Sequence, residues 1–214
     1  GEWQQFIADG GYANPALWLS DGWDWVRREG IAAPLYWHDQ AGGWRQFTLS
    51  GWQDVDPAVP ACHLSFYEAD AFARWAGARL PTEEEWEALA KAPDPTSGNQ
   101  LDRVDPVAPA AEDAAFLFGN GWQWTGSAYR PYPGFRPTEG TASEYNGKFM
   151  ANQMVLRGSS FATPEGHARV SYRNFFYPHQ RWAFAGLRLA ADAPSPLVRS
   201  ADEAASAFES AQSE

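Results

Sequence analysis

Residues 119–127 read GNGWQWTGS. Trp122 and Trp124 stand two apart among three glycines, with few aliphatic neighbours. Ordinary strands and amphipathic helices are not written this way. Such a stretch builds a core, lines a ligand or marks a family, and the rest of the chain decides which.

The chain has 214 residues, 44% hydrophobic and 15% aromatic, with twelve tryptophans. Leu, Ile and Val are sparse, while Gly and Pro are frequent. Large rings joined by many turns point to an irregular, loop-rich fold rather than a helical bundle. A formal charge of −11 argues against nucleic acid as a partner, because it repels phosphate backbones. There is no cationic amphipathic helix for a membrane surface and no apolar run long enough to span one. Cys62 is the only cysteine, which excludes an internal disulfide framework and a multi-thiolate zinc site. That usage fits a reducing, cytoplasmic setting. Cys62 itself reads as a small buried hydrophobe beside His63, a satisfied buried histidine.

Several elements are legible. Asn14-Pro15 reads as a helix start, with the helix running through Trp25 and Val26 to Gly30. The stretch PLYWHDQAGGWRQFTLSGW (residues 34–52) alternates like a two-stranded hairpin around residues 41–43. Ser65 and Glu68 form a capping box, followed by Ala69, Phe72, Ala73 and Ala76 at helical spacing and closed by Gly77. Thr82 and Glu85 repeat the device, and Glu83, Glu84 and Glu85 suit the positive end of that helix. Residues 91–113 are rich in Pro and Asp and read as a long surface excursion. MVLRGSSF (residues 154–161) and FAGLRLAA (184–191) are the clearest later strands. The expected organisation is a domain over residues 1–192 and a frayed, acidic Ala/Ser-rich tail over residues 193–214.

HLSFYEADAFARWAGARLPTEEEWEALA, FGNGWQWTGSAYRPYPGF, MVLRGSSFATPEGHARVSYRNFF and FAGLRLA occur in this order. Together they resemble the formylglycine-generating-enzyme-like, or sulfatase-modifying-factor, domain over residues 1–190. The resemblance implies an irregular α+β fold related to C-type lectins, in which the Trp122–Trp124 stretch packs the core. Family members usually carry Glu between the two tryptophans, where it helps hold a structural calcium. Here Gln123 stands there, a weaker and uncharged ligand. True formylglycine-generating enzymes use two copper-binding cysteines in the region of residues 157–176, which here holds Phe161, Ala162, Ser171 and Tyr172 and no Cys.

SDGWDWVRREG, PYPGF, EYNGKFM and YRNFFYPHQRWAFAGLRLA resemble more closely the C-terminal half of the ergothioneine-forming sulfoxide synthases, the hercynine oxygenases. The Asn-Phe-Phe run is similar to the branch that uses free cysteine. The resemblance implies a parent enzyme that joins cysteine, or gamma-glutamylcysteine, to trimethylhistidine and oxidises the sulfur with O2 and non-haem iron(II). Its iron sits on an N-terminal helical bundle with an H-x3-H pair. Here His38, His63, His167 and His179 do not have that spacing. The expectation is therefore no cofactor in this chain and Fe(II) in the full parent. The partner is the helical bundle, in the same protein or a separate chain, and this chain alone does not turn over.

The substrate is a betaine. Its quaternary ammonium is held by aromatic faces and dispersed negative charge, and its carboxylate by Arg or amide donors. The expected substrate-binding residues are Asn174 as a polar contact and Phe175 and Phe176 as pocket walls near the iron, with Tyr172, Arg173 and Trp182 in support. No catalytic residue is assigned; Tyr132 and Tyr145 are the local candidates for a proton-donating tyrosine. Arg157, Arg173 and Arg188 also read as structural ion-pair residues, and His179 as a loop residue. The competing reading is a lectin-like ligand-binding or scaffold module without catalysis.

Overall fold

The computed structural model describes residues 1–102, 117–141 and 147–193. The acidic tail from residue 194, Tyr145 and most of the second half of the 91–113 excursion lie outside the described residues. The architecture is an irregular α+β arrangement of four short helices and two open sheets among the described residues, with no closed barrel. The fold class expected from the sequence is the one observed.

The N-terminal part is built on rings. Helix α1 (Glu2–Ala8) buries Trp3 and Phe6, and Trp3 stacks on Phe72 at 4.7 Å. The expected single helix from Asn14 to Gly30 is two pieces. Asn14 does cap a turn, its side chain accepting from the Ala16 N–H, but that turn is a 3₁₀ segment, Pro15–Leu17. Trp18 is then extended and buried, its indole N–H donating to the Gly11 carbonyl at 2.8 Å. Seating this ring breaks the backbone, and α2 (Ser20–Glu29) starts afresh and ends at Gly30 in the left-handed conformation. The hairpin is a three-stranded meander of β1 (Trp37–Gln40), β2 (Gly43–Thr48) and β3 (Gly51–Asp54). Its third strand holds only four residues, three of them exposed, so no apolar alternation announces it.

Both capping boxes form. Ser65 and Glu68 open α3 (Phe66–Trp75), and Thr82 and Glu85 open α4 (Glu83–Leu89). Ala69, Phe72 and Ala73 are buried as the spacing predicts, while Ala76 is exposed at the helix end. Glu85 also receives both terminal nitrogens of Arg79, which holds its carboxyl down to about 2.

The stretch that looked least like a strand is the centre of the second sheet. Strand β4 (Trp122–Ala128) lies between β5 (Met154–Arg157) and β7 (Ala185–Leu187), and β6 (Asn174–Phe176) is the outer strand beyond β5. β4 runs antiparallel to β5 and parallel to β7. Alternation explains the spacing. Trp122 and Trp124 face α3, packing with Phe66, Ala69, Ala73 and Leu156. Gln123 and Arg157, register partners, face α4. Trp124 is fully buried, and its indole N–H donates to the Leu64 carbonyl at 2.8 Å, tying the sheet to the start of α3. Trp124→Phe removes ring volume and orphans that buried carbonyl. We expect a loss of about 2–4 kcal/mol in urea unfolding with the m-value unchanged.

Candidate functional site

Glu83 departs most from its expected role. It is buried, and its carboxylate serves two arginines instead of merely facing the helix end. Arg157 Nη2 donates to Glu83 Oε2 at 3.0 Å and to Glu87 Oε2 at 2.8 Å. Arg173 grips both oxygens of Glu83 at 2.8 Å each. Arg157 is wholly buried and also donates to the Val170 and Tyr172 carbonyls, while its Nε has no partner among the described residues. The Tyr132 hydroxyl accepts from Arg157 Nη2 at 3.0 Å and lies 3.4 Å from Glu83 Oε2. Desolvation raises the Tyr132 hydroxyl above its ordinary value, so it keeps its proton. This cluster joins α4 to β5 and to the residue that enters β6. The helix-end preference for carboxylates masked it in the sequence, because both of its arginines lie more than seventy residues away.

Strand β6 is therefore clamped at its entrance, and it is the outer strand of the sheet among the described residues. Asn174, Phe175 and Phe176 are all half-buried. The Asn174 side-chain oxygen Oδ1 accepts the Phe175 N–H at 2.9 Å. An N–H can pair only with the oxygen of an amide, so the Asn174 NH2 is turned away from the backbone. The two phenylalanines leave opposite faces. Phe175 stacks on Tyr129 at 4.1 Å and packs near Phe149. Phe176 meets Trp124 and, edge-on at 4.8 Å, Trp182, which is 57% exposed. Tyr172 packs on Trp122 and His167, with Arg169 over its ring. The expected residues thus lie together at one edge, but Arg173 is engaged by Glu83, and Phe175 and Phe176 are not neighbours in a single wall.

An open groove of about 680 Å³ lies beyond the end of β6, bounded by Asp21, Tyr67, Tyr129, Arg130, Met154 and Tyr177 among others, and Asn174, Phe175, Phe176 and Trp182 do not line it. Tyr129 is the ring under Phe175, and Met154 is the register partner of Phe176. Asp21, Tyr129 and Arg130 were not singled out by sequence reasoning. Only the proximity of SDGWDW and SAYRPYPGF to the other motifs pointed to them.

A second cavity, about 510 Å³, lies beside β7 and includes Cys62, Gln123 and Arg188. Cys62 is partly buried, and desolvation pushes its thiol up to about 12. His63 is half-buried with a left-handed backbone, and its Nδ1 has no hydrogen-bond partner among the described residues, contrary to the satisfied histidine expected. Burial lowers its pKa below the ordinary imidazole value. Gln123 is fully used. Its oxygen accepts from the Trp86 indole at 2.7 Å and lies 3.4 Å from Arg188 Nε, and its NH2 donates to the Leu117 carbonyl at 3.0 Å. An amide saturated in this way, beside a guanidinium, does not fit a calcium ion. The histidines do not fit iron either. His38 packs on Trp52, His63 on Phe184, His167 on Tyr172 and His179 on Tyr177. Among the described residues no three His, Cys, Asp or Glu side chains gather as a metal site, and no helix is long and apolar enough to cross a membrane.

The profile of the sulfatase-modifying factor enzyme 1-like domain matches residues 1–114 and 94–193. The chain belongs to the sulfatase-modifying-factor family. Within that family it is closely related to hercynine oxygenases. It is 38% identical to that of Mycobacterium tuberculosis over 90% of this chain and 50% of the relative. It is 35% identical to that of Mycolicibacterium thermoresistibile over 92% of this chain and 50% of the relative. The formylglycine-generating enzyme of Thermomonospora curvata is 29% identical over 64% of this chain and 56% of the relative. The chain spans about half the length of the hercynine oxygenases it matches.

Two measurements probe this geometry. Glu83→Gln leaves two buried or nearly buried guanidiniums sharing one acceptor oxygen, and we expect a loss of about 3–5 kcal/mol by chemical denaturation. With a thiol near 12, alkylation of Cys62 by iodoacetamide at pH 8 should run at least about a hundredfold slower than that of free cysteine and recover on unfolding.

Proposed function

We propose that this chain is the substrate-binding half of a sulfoxide synthase that joins cysteine, or gamma-glutamylcysteine, to trimethylhistidine. The observation that carries the reading is strand β6. Asn174, Phe175 and Phe176 lie half-buried on the outer strand of the sheet among the described residues, and the strand runs into Tyr177 at an open groove. The relationship to hercynine oxygenases supports it. Asn174 presents amide donors, and Phe176 and Trp182, edge-on to each other, present an aromatic wall beside it. Tyr172 backs the strand, and Arg173 shapes the site through Glu83 instead of touching substrate.

The redox chemistry belongs to the other half. Non-haem iron(II) would supply O2 activation and thiolate binding from a helical bundle in the parent protein or a separate chain. Phe149, Tyr177 and Trp182 are exposed along the β6 edge, an apolar band suited to that partner. A cytoplasmic setting suits a pathway built on free thiols. The lectin-like alternative has no comparable reason to place Asn-Phe-Phe on an outer strand.

Calorimetric titration of trimethylhistidine into the chain, alone and joined to the helical half, tests the proposal. Binding at least about tenfold tighter in the joined form, and weakened by Asn174→Ala without loss of Tm, is the expected result. Similar binding of many unrelated ligands by the isolated chain would favour the lectin-like module.

A further inference from the structure

The clamp on Arg173 leaves a gap in the recognition of a betaine. Both of its terminal nitrogens and its Nε are committed, to Glu83 and to the Arg130 carbonyl. A carboxylate in the groove needs another cation. The bond from Arg173 to the Arg130 main chain fixes Arg130 at the groove wall, with its own side chain exposed. Asp21, in the first turn of α2, lines the same groove and is also exposed. Neither guanidinium nor carboxylate has an ion-pair or hydrogen-bond partner among the described residues. Asp21 has aromatic company. Tyr67 lines the same groove, its ring lying against Gly22, the residue that follows Asp21. Tyr177 is exposed on the same groove, with Met150 and Met154 as soft apolar neighbours. Tyr129 offers no free face, being stacked on Phe175 and covered by Arg173 at 4.7 Å.

One unpaired cation, one unpaired anion and two tyrosines in a single groove match a zwitterion. We propose that Arg130 and Asp21 are the charges that select a zwitterionic amino acid with an alkylated ammonium group. Arg130 takes the carboxylate, while Asp21 with Tyr67 and Tyr177 faces the ammonium, which dispersed charge and ring faces hold without a hydrogen bond. This assignment rests on the reading of the chain as a substrate-binding half and adds to it the residues that read charge. The groove, about 680 Å³, is ample for a single amino acid.

The test is a nuclear magnetic resonance titration of this chain with two probes at millimolar concentration, trimethylhistidine and the same molecule lacking its carboxylate. Expected are shifts at Tyr67 and Tyr177 with both probes, and at Arg130 with trimethylhistidine. Arg130→Gln should weaken trimethylhistidine about three- to tenfold and leave the carboxylate-free probe unchanged, while Asp21→Asn should weaken both. Both side chains are exposed, so the variants should keep the wild-type spectrum. Shifts that map elsewhere, no shifts at all, or an Arg130→Gln variant that binds both probes like wild type would overturn the assignment. Binding by the joined protein that depends on Asn174 but not on Arg130 would overturn it and leave the substrate-binding reading standing. No binding even by the joined protein would remove that reading too.

Discussion

A single buried carboxylate organises one edge of this domain. Glu83 accepts from Arg157 in β5 and from Arg173 at the entrance to β6, and a fully buried guanidinium such as Arg157 is tolerable only with such partners. Two arginines against Glu83 and Glu87 leave the cluster neutral, with the Val170 and Tyr172 carbonyls taking further donors. The net contribution of such a cluster to stability is small, because desolvating four charges offsets most of their attraction. Its consequence is positional. A three-residue outer strand paired on one side has little cohesion of its own. Arg157 and Arg173 fix where it begins, and the stack of Phe175 on Tyr129 fixes how it continues.

The remaining architecture follows from dividing the sheet's two faces. One face is a dry layer of rings against α3, where Trp124 joins the capped helix start through the Leu64 carbonyl. The other is polar and faces α4, where Gln123 takes the Trp86 indole and Arg157 takes Glu83 and Glu87. Period-two alternation sorts these residues. The GNGWQWTGS stretch carries both programs at once, tryptophans for one layer and an amide for the other. A strand buried on both faces, with a polar second face, does not show the hydrophobic run or clean alternation by which strands are usually recognised.

What was legible in the sequence was local. Ser65 with Glu68 and Thr82 with Glu85 announce helices because a cap and its reciprocal carboxylate lie three residues apart. Asn14 and Pro15 announced a helix start correctly but not its length, because the break at Trp18 answers to the distant burial of one ring. Glu83 was misread for the same reason, since its partners lie across the fold and nothing nearby in sequence names them. At the candidate site, YRNFF marked an outer strand of the sheet. The backbone then decided what each residue does. Alternation sent Phe175 and Phe176 to opposite faces, and Glu83 turned Arg173 from a ligand-facing cation into a strut.

The arrangement also bears on why such a site would be divided between two halves. A groove walled by one sheet edge and the start of α2 is open on the remaining side, so a small zwitterion bound there keeps much of its hydration. Exposed ion pairs contribute little in that setting, whereas the same contacts strengthen once water is excluded. On the proposed reading, a helical partner docking on Phe149, Tyr177 and Trp182 would close the groove and supply the metal that this chain's residues do not hold. Affinity would then arise mainly at assembly, and selectivity would already be written in the charges and rings that this half presents.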